Sequence, residues 1–178
     1  KTAPLLETAL FFVKGLGAHA KTVLIVGGKP EMIDLVKNAA TELSMPYVAG
    51  RWLGGTLTNF PEIKKRIKKM AELTEDKEAG TLAKKYTKKE RVLIDRDIVR
   101  LEENFGGIAA MDKVPDALII VDTRRESIAV LEARTLGIPV VGIMNSDCDA
   151  SQATYPIVGN DASRESVKYL LDQIVEAY

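Results

Sequence analysis

Along this chain the spacing of apolar residues changes its period twice. Near the start, Leu5, Leu6, Ala9, Phe12 and Val13 recur at helical spacing behind Thr2 as N-cap and Pro4 in the first turn, which predicts a helix weakened at its end by Gly15 and Gly17. Residues 22–26 form a short β-branched run closed by Gly27 and Gly28, the pattern of a buried parallel strand. Residues 30–43, with Met32, Ile33, Val36, Ala39, Ala40 and Leu43 on one face, predict the helix after it, and residues 45–48 a second strand.

Between residues 60 and 105 the pattern narrows to a single seam on a charged background. Phe60, Ile63, Ile67, Met70 and Thr74 step by three and four, as do Ile94, Ile98, Leu101 and Phe105, which predicts two helices facing each other as a coiled-coil hairpin. A helix over residues 62–75 is on the order of 20 Å long at ~1.5 Å per residue, so the pair should project from the body. Thr87 and Glu90 have the spacing of a capping box, Gly106 and Gly107 stop the second helix, and residues 76–86, with Gly80 and many charges, predict a mobile tip.

After residue 106 short strands and helices alternate again: strands at 117–121, 138–143 and 156–158, helices at 125–136 and 163–177. Five strands with interleaved helices predict an α/β fold with a parallel, doubly wound sheet, its sites at the carboxyl ends of the strands. The expected organisation is a globular domain from residues 1–60 and 106–178 with a basic helical hairpin, 61–105, inserted in it.

Composition adds exclusions. No apolar run approaches the roughly 20 residues of a membrane span, so no membrane partner is expected. A lone Cys148 forms no internal disulfide and fits a reducing cytoplasm, and a lone His19 leaves too few soft ligands for zinc. The chain opens on Lys1 without Met or signal peptide, so part of a natural N-terminus is expected to precede it. Formal neutrality hides an imbalance: residues 51–91 hold twelve Lys or Arg against six Asp or Glu, and the remaining segments thirteen against nineteen.

Open parallel sheets often bind nucleotides, but the motifs of that class fit poorly. Val26-Gly27-Gly28-Lys29-Pro30 lacks the first Gly, the length and the hydroxyl of a P-loop, and Pro30 and Glu31 stand where a dinucleotide fingerprint needs its third Gly. Asp122 with Asn145, Asp147 and Asp149 suggests an acidic metal pocket, although Asp122 also suits a cap for the next helix. Cys148 beside two Asp is not an activated thiolate, and no triad emerges. The enzymatic alternative is therefore a nucleotide- or phosphate-dependent α/β enzyme built on Gly27, Gly28, Lys29 and Asp122. No catalytic residue, metal or cofactor is assigned.

Binding fits better. Lys64, Lys65, Arg66, Lys68 and Lys69 on one helix, and Lys84, Lys85, Lys88, Lys89 and Arg91 around the start of the other, lie off the seam where phosphates reach them, with Tyr86 among them as a stacking group. The pattern suits structured RNA better than a DNA groove. At the joint between body and hairpin, Arg51 and Trp52 offer donors and a flat surface to RNA, and Gly54 and Gly55 turn the chain; a buried corner with Trp52 and Leu53 in the core has the same composition.

Arg51-Trp52-Leu53-Gly54-Gly55 followed by Leu57-Thr58-Asn59 resembles the signature of the bacterial small-subunit ribosomal protein two family. The resemblance continues through Thr87-Lys88-Lys89-Glu90, Leu101-Glu102, Gly106-Gly107-Ile108, Pro115-Asp116, Glu132-Ala133, Gly137-Ile138-Pro139 and Gly159-Asn160-Asp161. It implies a flavodoxin-like three-layer sheet of strand order 2-1-3-4-5 with a long helical hairpin between strands two and three. It further implies a non-enzymatic constituent of the small subunit at its head and body junction, partnered by ribosomal RNA, neighbouring ribosomal proteins and ribosomal protein S-one. The chain departs from the family at Thr56 (usually Met), Phe60 (Trp), Asn145 (Asp), and Val158 and Ala162 (Pro and Asp). The family's aromatic and basic N-terminal segment would precede Lys1, and a tail would follow Tyr178.

Overall fold

A computed structural model of the chain describes residues 2–82 and 86–178. Its five strands, β1 (Val23–Val26), β2 (Tyr47–Val48), β3 (Ala117–Val121), β4 (Val140–Met144) and β5 (Tyr155–Val158), form one parallel sheet in the order β2-β1-β3-β4-β5. This is the α/β fold and strand order expected. The described helices are α1 (Thr2–Ala18), α2 (Ile33–Leu43), α3 (Phe60–Glu78), α4 (Lys88–Phe105), α5 (Ser127–Thr135) and α6 (Arg164–Ala177).

The central strands are buried on both faces, and their alternating side chains feed two separate cores. Val23, Ile25, Ile119, Val121 and Ile143 meet Ala9 and Val13 of α1, Val36 and Ala40 of α2, and Val167 and Ile174 of α6. Leu24, Val26, Leu118, Ile120 and Met144 point the other way, to Ala129 and Ala133 of α5 and to Trp52, Leu57, Phe60, Ile63, Phe105 and Ile108. One face is thus covered by helices, and the other by α5, the 51–60 loop and the root of α3 and α4. Ile63 and Phe105 lie within the span expected as a separate insertion, yet both are buried in this second core.

Several boundaries differ from the sequence reading for local reasons. α1 is already helical at Thr2 and runs through Gly15 and Gly17 to Ala18, because packing on the sheet outweighs glycine's propensity cost. Residues 30–32 form a separate 3-10 turn before α2. α5 starts two residues late because Asp122, at φ 66, heads a turn in which its Oδ1 accepts from Arg125 N at 3.0 Å. α3 extends to Glu78, absorbing part of the expected tip, and the chain turns at Gly80 (φ 68).

Candidate nucleic-acid interface

The joint is built on one carboxylate. Glu132 of α5, 6% exposed, accepts from Trp52 Nε1 (3.1 Å), Gly55 N (2.8 Å), Leu57 N (2.9 Å), Thr58 N (3.0 Å) and Thr58 Oγ1 (3.1 Å). Burial alone would raise its pKa, but the bonds from Thr58, Trp52, Leu57 and Gly55 outweigh it and hold the carboxyl below the usual range. The whole 51–60 loop is thereby fastened to α5. Trp52 is buried in the second core with its N–H committed to Glu132, so the structure places it inside the joint and away from a nucleotide; its partner Arg51 is exposed and unpaired among the described residues. Gly55 takes φ 89, whereas Gly54 has open space around its Cα.

Glu132 was not singled out as a site residue from the sequence. The available signal is its place in Ser127–Thr135: a carboxylate on the same buried face as Ala129, Val130 and Ala133 must have donors waiting for it.

From this joint α3 and α4 leave side by side. On α4 Ile98 and Phe105 are buried and Ile94 and Leu101 half-buried; on α3 Ile63 is buried and Ile67, Met70 and Thr74 are half-buried. The capping box at Thr87 is present: Glu90 Oε2 accepts from Thr87 N at 2.8 Å, and Thr87 Oγ1 accepts from Glu90 N. Lys77 of α3 and Asp95 of α4 pair across the helices at 2.9 Å.

The expected phosphate ligands divide into two groups. Lys64 donates to the Asp112 carbonyl at 2.7 Å, while Lys65 and Lys68 pair along their own helix with Glu62 (2.9 Å) and Glu72 (3.8 Å). These exposed pairs are weak, about 0–1 kcal/mol, and yield to a competing phosphate. Arg66, Lys69, Lys88 and Lys89 are exposed with no ion pair among the described residues, and so are Arg96 and Arg100, which lie beyond the basic run read from sequence. Arg91 is half-buried, its Nε unpartnered. Tyr86 is exposed. Lys84 and Lys85 fall outside the described residues. Gly106 and Gly107 follow α4; a Cβ on Gly107 would lie 2.3 Å from the Tyr47 carbonyl, so this turn presses directly on β2.

The strand ends, where a nucleotide would be expected, are occupied by the chain's own charges. Gly28 N donates to Glu126 Oε1 at 3.0 Å, and Lys29 Nζ lies 2.7 Å from Asp122 and 3.3 Å from Asp161. The amide and the ammonium that a phosphate needs are already committed. Asp122 does not gather Asn145, Asp147 and Asp149: Asp147 pairs with Arg124 at 2.7 Å, Asp149 accepts from Ser151 N, and Asn145 from Ser146 N. Among the described residues, the ligand atoms of Asp122, Cys148 and Asp161 lie within 4.8 Å of one another, and the cation among these carboxylates is Lys29.

The sequence model of one family, described as Ribosomal protein S2, matches residues 1–178. The chain is 44% identical over 177 residues to the small ribosomal subunit protein uS2 of Sulfurimonas denitrificans, covering 99% of this chain and 68% of that protein. It is 45% identical to the protein of that name from Acidothermus cellulolyticus (97% and 62% covered) and 42% identical to that from Micrococcus luteus (97% and 60% covered). The chain spans about three fifths of the length of most of these relatives.

Proposed function

The chain belongs to the ribosomal protein S2 family, and from that premise we propose that it is a non-enzymatic structural constituent of the small ribosomal subunit that binds ribosomal RNA. The observation that carries this reading is the contrast between two regions. On α3 and α4, Arg66, Lys69, Lys88, Lys89, Arg96 and Arg100 stand exposed without carboxylate partners among the described residues, while Lys29 at the strand ends is neutralised by Asp122 and Asp161. Unpaired cations on a protruding element release counterions from a phosphate backbone; a lysine between two aspartates does not. Trp52 and the glycine turn serve RNA binding indirectly, by fixing the angle at which the helices leave the body, and Arg51 contacts phosphate directly. Neighbouring small-subunit proteins, ribosomal protein S-one among them, are partners under this reading, and the cytoplasmic ribosome is the location.

The test is binding of the chain to small-subunit ribosomal RNA over a range of salt, with cosedimentation on small subunits. Log affinity should fall against log salt by about 0.7–0.9 for each phosphate neutralised. Shortening the helices beyond Met70 and Ile94 should reduce binding without entering the core that Ile63 and Phe105 help to build. Salt-independent binding, or none, overturns the reading.

A further inference from the structure

At the root of the helical pair, Arg66 and Lys69 of α3, Arg100 of α4 and Leu53 of the joint line one groove of about 340 Å³. Its apolar lining comes from Leu53, Leu73 and Leu101, with Phe105 closing it at the bottom. Pockets that take small ligands span roughly 300–1,000 Å³, so this one holds a single nucleotide and excludes a duplex. Three cations unpaired among the described residues surround it against one carboxylate, Asp97, which is itself in no ion pair among them. A flat apolar group with an anion attached is the chemistry that satisfies both parts. Asp97 supplies an acceptor for the amino group of a base, as carboxylates do for cytosine.

We propose that this groove takes one unstacked nucleotide from a loop or bulge of RNA, its phosphate held by Arg66, Lys69 and Arg100 and its base laid on Leu53, Leu73 and Leu101. The proposal rests on the RNA-binding reading above and sharpens it from backbone recognition to recognition of a splayed base, the usual route to RNA selectivity. Arg100 becomes a binding residue through its place opposite Arg66 and Lys69, since it lies outside the basic run.

The experiment uses the full chain and four probes: a stem-loop oligoribonucleotide with one bulged nucleotide, the same RNA with that nucleotide abasic, a fully paired duplex, and inorganic phosphate. The bulged RNA should bind about tenfold tighter than the abasic one, the order expected for burying one face of a base on apolar side chains. It alone should shift the methyl NMR signals of Leu53, Leu73 and Leu101. Arg100→Gln should lower affinity for the bulge and flatten the salt slope by about 0.7. Lys88→Gln with Lys89→Gln should weaken all RNA probes alike and leave the preference for the bulge intact. Equal affinity for bulged and abasic RNA with silent leucine methyls overturns the groove while leaving RNA binding standing. Full methyl shifts with phosphate alone overturn the base contact in favour of a simple anion site. Failure of every RNA to bind removes the functional reading and the groove with it.

Discussion

Glu132 Oε1 accepts a hydrogen bond from Trp52 Nε1 at 3.1 Å, across 80 residues of chain, and so ties the one tryptophan of the protein to the buried face of α5. Because four further donors converge on the same carboxylate, a neutral amide does not replace it: one of its two heads would present N–H to N–H. Glu132→Gln should cost about 2–3 kcal/mol at pH 7, read by chemical denaturation. The folded carboxyl is held below its usual pKa, so its contribution is complete above the unfolded value, about 4.5, and is lost as pH falls through the folded one. Wild type should therefore lose stability on acidification more steeply than Glu132→Gln; parallel acid limbs would show that the clamp contributes nothing.

The two glycines after α4 should respond oppositely to alanine. A Cβ on Gly107 would meet the Tyr47 carbonyl at 2.3 Å and its ring at 2.7 Å, and the backbone of an edge strand yields only with its pairing, so Gly107→Ala should cost about 1–3 kcal/mol. Gly106 has helical angles, φ −55 and ψ −42, and a Cβ there meets only Glu102 Cγ at 3.5 Å. Gly106→Ala should add about 0.4–1 kcal/mol by restricting the unfolded chain. Melting both variants against wild type checks the pair.

The elements themselves were legible because their signals are local. Short uninterrupted apolar runs and period-3.6 stripes, the Thr87 to Glu90 box and the narrow seam from Phe60 to Thr74 each declare themselves within a few turns of chain. What the sequence does not display is which distant group meets which. Trp52 and Arg51 look equally available to RNA until Glu132 is found covering one of them, and Lys64 looks like a free cation until Asp112 arrives from 48 residues away. Arg100 is hidden in the sequence for the converse reason. It sits among acidic neighbours in sequence, and only the opposing face of α3 turns it into part of a basic groove.

Glu126 presents the reverse of Glu132. It is 4% exposed, and burial, with Asp122 adding repulsion, lifts its pKa above the ordinary value despite the bond from Gly28 N and the nearby Arg125. The folded chain thus holds this proton more tightly than the unfolded one, and ionisation above the folded pKa is destabilising. Glu126→Gln keeps an acceptor for Gly28 and removes the buried charge, so it should be more stable than wild type at pH 7 to 8. The advantage should shrink to nothing as pH falls below the unfolded carboxyl value, about 4.5. A variant less stable at pH 8 would mean that the charge itself is needed at this turn.

The charge balance at the strand ends turns on Lys29. Its ammonium, 19% exposed, lies between Asp122 and Asp161, 13% and 7% exposed, and also donates to the Asp161 carbonyl at 3.0 Å. Burial lowers its pKa, but the bonds and charges of the two aspartates outweigh it, so the net shift is upward. Its stabilisation is accordingly present below the unfolded lysine value and lost as pH rises through the folded one. Lys29→Met keeps the stem and removes the charge, leaving two carboxylates facing each other with no cation between them. The expected cost is about 3 kcal/mol, the size associated with breaking a partly buried pair. A divalent ion should then do what the ammonium did, since Asp122, Cys148 and Asp161 present ligand atoms within 4.8 Å of one another; three protein ligands and a water make an open zinc site, distinct from the closed site of soft ligands that the composition excludes. Zinc at a hundred times its dissociation constant should restore about 2.7 kcal/mol to Lys29→Met and leave the melting of wild type unchanged. If zinc stabilised wild type equally, the ammonium would not be what closes this site; if Lys29→Met lost no stability, the two aspartates would be satisfied without it.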